Sequence, residues 1–140
     1  MKDQEIINML RPIARDFLGR KWRHIACIVY KNQIISFGRA NNKTHTFAAK
    51  YGGKNGKSQF WHAETHAIYL ASQRLTEREL KKSTLYVVRM KYEGTGKTDY
   101  HLANSKPCRG CQRCIDEYQI GRTVYSISED HFGVMLNNQK

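Results

Sequence analysis

The chain has 140 residues, 24 Lys and Arg against 12 Asp and Glu, and a net charge of +12, a field that attracts polyanions by a sequence-independent, salt-dependent mechanism. Its length is that of one domain with a sizeable core, so residues 1–140 are read as a single domain. No apolar run approaches membrane-spanning length, no basic segment followed by an apolar one opens the chain, and Cys108, Cys111 and Cys114 crowd into one short segment. This pattern argues against a membrane span, a secretory leader and a disulfide framework, and a soluble cytoplasmic protein with no membrane partner is expected.

Between Asp3 and Leu18 the apolar residues Ile6, Ile7, Leu10, Ile13, Ala14, Phe17 and Leu18 recur at helical spacing, with Gly19 as a stop. His24 to Tyr30 is rich in β-branched residues, and Lys31-Asn32-Gln33 separates it from Ile34 to Phe37, which predicts a hairpin ended by Gly38. Asn41 to Ser58 holds Gly52, Gly53 and Gly56 among lysines without a sustained period, and reads as a long loop. His62 to Leu75 sets Ala63, His66, Ala67, Leu70 and Ala71 on one helical face. Thr84 to Met90 has the β-propensity of a central strand, and the polar, Gly-containing Lys91 to Lys106 reads as a second loop. Cys108 to Tyr118 is predicted as a helix entered through Pro107. Arg122 to Ser128 and His131 to Leu136 are two further strands, and their short link at Glu129-Asp130 demands antiparallel pairing.

The chemistry concentrates in two places: His62-Ala63-Glu64 at the start of one predicted helix, and Pro107-Cys108-Arg109-Gly110-Cys111 at the start of another. One imidazole and two thiolates fill three positions of a tetrahedral Zn²⁺ and leave a fourth for water. The positive end of a helix favours the thiolate form of Cys108 and Cys111. Both halves match the H-x-E and P-C-x-x-C signature of zinc deaminases, and the chain resembles the cytidine deaminase superfamily, most closely its small phage-type members. Ile120-Gly121-Arg122-Thr123-Val124-Tyr125-Ser126 is similar to the strand that follows the zinc helix in deoxycytidylate and tRNA adenosine deaminases. The resemblance implies an α/β fold of three layers, α/β/α, with a five-stranded mixed sheet and a C-terminal β-hairpin.

It also implies Zn²⁺ held by His62, Cys108 and Cys111, with Glu64 moving protons as the catalytic residue. Substrate contacts would come from the backbone N–H of Ala63, the backbone around Ser105, and Asn41 against the sugar, a place Asn42 fits nearly as well. Lys91 to Lys106 makes the segment between the two motif halves longer than is usual in the family. The short link before His131 resembles the hairpin-ended branch.

Bland readings stand beside these. Cys114 could supply a fourth thiolate to a structural zinc, or be a buried small hydrophobe. Cys27, in an apolar strand, reads as core. His66 falls four residues after His62, but the metalloprotease pattern needs a glutamate where Ala63 stands, so a core or supporting role is expected. Phe60 and Trp61 could stack a base at the pocket mouth or pack in the core. Lys91, Lys97, Tyr100, His101 and Lys106 give the loop before Pro107 the mixture of a strand-binding rim or of an ordinary exposed loop.

No acidic residue lies between Asp16 and Glu64, whereas Lys and Arg recur from Arg20 to Lys57. A solvated basic surface and a nucleic-acid footprint including Lys54 and Lys57 both fit that run. The resulting expectation is a zinc-dependent hydrolytic deaminase converting cytosine to uracil in single-stranded DNA or RNA. The alternatives are a free cytidine or deoxycytidylate deaminase and a catalytically silent nucleic-acid-binding module, against which Glu64 speaks. Expected partners are single-stranded nucleic acid or a cytosine nucleotide, with a homo-oligomer left open.

Overall fold

A computed structural model describes residues 2–15, 24–40, 45–51, 61–92 and 100–137, with Tyr92 and Tyr100 described by their backbone alone. The first helix, α1 (Asp3–Arg15), buries Ile6, Ile7, Leu10 and Ala14, the i, i+4 stripe that the sequence periodicity marks. The hairpin β1 (His24–Tyr30) and β2 (Gln33–Arg39) turns at Lys31 and Asn32, both in the left-handed region, which suits a tight two-residue hairpin connection. Next come α2 (Thr46–Tyr51), α3 (Ala63–Ser72), α4 (Glu77–Leu80), β3 (Thr84–Tyr92), β4 (Tyr100–Ala103), α5 (Arg109–Glu117), β5 (Arg122–Ser128) and β6 (His131–Leu136).

The strands form one mixed sheet in the order β2-β1-β3-β5-β6, with β4 paired to the far end of β3. β3 and β5 are parallel, joined by the crossover that contains α5, while β5 and β6 are antiparallel as their short link requires. Side chains alternate across the sheet. Ile25 and Cys27 of β1 pack beneath α1 with Tyr86, Val88 and Val124, whereas Ala26 and Ile28 pack with Leu85 and Val87 beneath α3 and α5. These are three layers, α1 on one face and α3 with α5 on the other. Among the described residues no helix is long and apolar enough to cross a membrane.

Three elements depart from the sequence expectations. The sheet has six strands rather than five, because the segment Lys91 to Lys106 is not all loop: β3 runs on to Tyr92 and β4 pairs back antiparallel through Arg89↔Ala103 and Lys91↔His101. Four residues are too few for a sequence period to show. Tertiary bonds fix them instead, Leu102 N–H donating to Glu129 (2.8 Å) and Ser126 Oγ donating to the Ala103 carbonyl (2.7 Å). Within the long segment Asn41 to Ser58, α2 forms because Ala48 and Tyr51 bury on one side. The end expected of α3 near Leu75 instead breaks into α4, where Thr76 and Glu79 make a reciprocal capping box.

Asp3, in the first turn of α1, receives hydrogen bonds from Arg122 Nη1 (2.8 Å) and Tyr86 Oη (2.6 Å) and an ion pair from Arg122 Nη2. Arg122 chiefly holds its carboxyl below the usual carboxylate range, against the opposing effect of burial. Helix, β3 and β5 are thereby tied at one end of the molecule. The sheet's other end, where β1 begins and β3 and β5 finish, holds the motif residues.

Candidate metal centre

Two helices deliver the donors. α3 approaches β2 so closely that a Cβ on Gly38 would lie 2.2 Å from the Ala63 carbonyl oxygen and 2.3 Å from the Ala67 nitrogen. The missing side chain at Gly38 seats the first turn of α3 against the sheet. Ser36 Oγ donates to the Ala67 carbonyl at 2.7 Å and fixes the same helix one turn on. His62 is the N-cap of α3. The Thr65 hydroxyl accepts from the His62 N–H (3.3 Å) and donates to its carbonyl (3.1 Å), holding the backbone that carries the imidazole.

Cys108 is the N-cap of α5, its Sγ accepting from the Cys111 N–H at 3.5 Å. The linker before it is pinned through Ser105, whose hydroxyl lies 2.9 Å from both the Val87 carbonyl and Ser126 Oγ, and whose N–H donates to the Ser126 carbonyl at 2.8 Å. Lys106 N–H donates to Asn104 Oδ1 at 2.9 Å, turning the chain toward Pro107.

The donor atoms of His62, Cys108 and Cys111 lie within 4.8 Å of one another. His62 Nδ1 is 3.7 Å from Cys108 Sγ and 3.3 Å from Cys111 Sγ. Tetrahedral Zn²⁺ with bonds of about 2.3 Å to sulfur and about 2.05 Å to nitrogen sets the N···S separation at about 3.6 Å. The donor set fits Zn²⁺ in both chemistry and spacing. Hydrogen bonds from Cys111 and His62 hold Cys108 down to about 3, deep in the thiolate range. The contact with Cys108, then burial, pushes Cys111 well above the ordinary thiol value. The bond to Cys108 raises His62.

Glu64 is 5% exposed. Burial raises its carboxyl above the ordinary value, against its own backbone N–H and His62, and the Cys111 thiol reaches it as well. A carboxyl so raised holds a proton more readily than an exposed glutamate does, which suits a group that moves protons. Cys114 is fully buried in the core between α3 and α5 and lies outside the three-donor group; burial pushes its thiol up. Cys27 lies buried beneath α1, its thiol pushed up to about 12 by burial.

The other residues singled out from the sequence divide. Ala63 and Ser105 are buried beside the ligands, and His101 and Lys106 fall on the β4 and linker side of the same end. Lys91 is exposed and pairs with His101 in the β3–β4 ladder, as Tyr100 does by its backbone with Tyr92. Trp61 is 7% exposed and packs against His45 and Tyr69, with ring centroids 4.9 and 5.4 Å away, so its faces meet protein rings. His66 lies beside it, accepting the Arg39 N–H at Nδ1 (3.3 Å), and burial lowers its pKa. Asn41, Asn42, Lys54, Lys57, Phe60 and Lys97 lie outside the described residues.

Two further residues belong to this end. His24, at the start of β1, feels the charges of Arg89, His62 and Cys108, and Arg89 is its cross-strand partner in β3. Neither stands in a motif; only the sheet brings strand ends so distant in sequence beside His62.

A three-layer α/β/α fold that presents a His/Cys/Cys donor set with a buried glutamate beside it is a zinc-binding domain of deaminase type. The model of the cytidine and deoxycytidylate deaminase zinc-binding region matches residues 1–127, and the chain belongs to that family. Among curated proteins no sequence matches it.

Proposed function

We propose that this chain is a zinc-dependent hydrolytic deaminase that converts cytosine to uracil in single-stranded DNA or RNA. The observation that carries the deaminase reading is the convergence of His62, Cys108 and Cys111 with the buried carboxyl of Glu64 at one end of the sheet. Bound Zn²⁺ supplies a water nucleophile active at neutral pH. Glu64 would accept one proton from the attacking water and deliver it to the ring nitrogen, then carry the second proton, from the hydroxyl newly formed on the ring carbon, to the departing amine, so that cytosine and water give uracil and ammonia. Ala63, the first residue of α3, offers a backbone N–H with no intrahelical acceptor, suited to the ring oxygen. By the family resemblance, we assign contact with the exocyclic amine to the backbone at Ser105 and contact with the sugar to Asn41.

The polymer reading rests on charge. A net +12 is more than one phosphate needs, and Lys91, His101 and Lys106 lie on the strand and linker leading to Cys108. Lys54, Lys57, Lys97 and Tyr100 complete the proposed strand-binding set. The family's own description, which names cytidine and deoxycytidylate, favours a second reading as a free-nucleotide enzyme. Offering cytidine, dCMP, a cytosine-containing DNA oligonucleotide and an RNA oligonucleotide in parallel, and quantifying uracil, separates the two. Uracil from an oligonucleotide but from neither small substrate supports the polymer reading; uracil from the small substrates alone refutes it.

A further inference from the structure

Alternation along β1 and β3 places His24 with Ala26 and Ile28, and Arg89 with Leu85 and Val87, on the sheet face covered by α3 and α5. His24↔Arg89 is a direct antiparallel pair, so the imidazole and the guanidinium leave the sheet side by side. Both are half-buried, while Glu64 and Cys111 lie buried. Neither β1 nor β3 contains an acidic residue. Among the described residues the Arg89 guanidinium has no carboxylate partner, and its one hydrogen bond is a long one to the Asn104 carbonyl at 3.5 Å. Among the described residues, the five N–H donors of this rigid fork are therefore met by a single weak acceptor.

We infer that His24 and Arg89 form the receptor for a phosphate carried by the nucleoside whose base reaches the metal centre. This inference rests on the deaminase reading of the site. A base inserted toward Glu64 leaves its sugar and phosphate on the half-exposed side, where these two residues present their donors. A guanidinium fork matches two phosphate oxygens at once. Burial, then the charge of Arg89, lowers the pKa of His24 to about 4, so at neutral pH the imidazole adds an N–H without repelling Arg89. The phosphate can be the monoester of a free nucleotide or the diester of a strand.

The full chain carrying Glu64→Ala, which stops turnover, is titrated with deoxycytidine and dCMP. It is also titrated with a short oligonucleotide whose linkage 5′ to the cytosine is either a phosphodiester or a neutral methylphosphonate. At least one anionic ligand should bind about tenfold tighter, or more, than its neutral counterpart, as one charge-assisted contact supplies. Arg89→Gln should erase that gap and leave the neutral ligand's affinity unchanged, and Arg89→Lys, which keeps charge but loses the fork, should restore part of it. His24→Asn should narrow it. A gap confined to dCMP assigns a monoester; one confined to the oligonucleotide assigns a diester. No gap in either pair, a gap that survives Arg89→Gln, or equal weakening of neutral and anionic ligands overturns the inference. Failure of the wild-type chain to release uracil defeats the deaminase reading separately, since the binding gap is read without turnover.

Discussion

Gly38→Ala tests how α3 is held against the sheet. A methyl group there stands 2.2 Å from the Ala63 carbonyl oxygen, and real Cβ contacts essentially never fall below 3.0 Å, so α3 must retreat by ~0.8 Å. The obstacle is helix backbone, which has no rotamer to change. Overpacking of this kind costs about 1–3 kcal/mol, and a backbone obstacle puts this variant toward the upper figure. Ala63 adjoins His62, and metal sites tolerate distance errors of only about 0.2 Å, so zinc affinity should fall together with stability. Urea denaturation gives the first quantity and competition with a chromogenic chelator gives the second. A variant with wild-type midpoint and wild-type zinc affinity would refute the claim that Gly38 sets the position of the ligand-bearing turn.

Other substitutions separate the remaining supports. Ser126 is fully buried, accepts the Arg89 N–H and donates to the Ala103 carbonyl; Ser126→Ala should cost about 1–3 kcal/mol by denaturant midpoint, and an unchanged midpoint would remove it from the anchoring of β4. Asp3 has a lowered carboxyl pKa in the fold, so its contribution is complete above the unfolded value near 4 and is lost as pH falls through the native one. Asp3→Asn should cost about 1 kcal/mol at pH 7 and less near pH 3; an equal loss at both pH values contradicts the ion pair. Cys114→Ala should keep one zinc per chain by atomic absorption, whereas loss of the metal would make Cys114 a fourth ligand and the site structural.

The parts of the fold legible in the sequence are those whose burial repeats with a short period. α1 shows its Ile6, Ile7, Leu10, Ala14 stripe, and β1 and β5 show their β-branched runs, all set by local pattern. β4 was opaque because Tyr100 to Ala103 becomes a strand through Glu129 and Ser126, residues more than twenty positions away. α2 was opaque for a related reason: its Phe47 packs against Tyr69 and Tyr118, rings distant in sequence. The metal centre was legible because N-terminal helix positions concentrate ligands into short motifs. His24 and Arg89 carried no such signal, since each is one polar residue at the end of an apolar strand and only the β1–β3 register makes them a pair.

The measurement that tests the central claim most directly is the zinc content and uracil yield of Glu64→Ala beside wild type, across the nucleoside, nucleotide and oligonucleotide substrates. Zinc retained at one per chain with uracil production abolished on every substrate is the predicted result, because the carboxylate moves protons and holds no metal. Undiminished uracil production by Glu64→Ala, or loss of zinc with it, would contradict the assignment of this site as a deaminase centre.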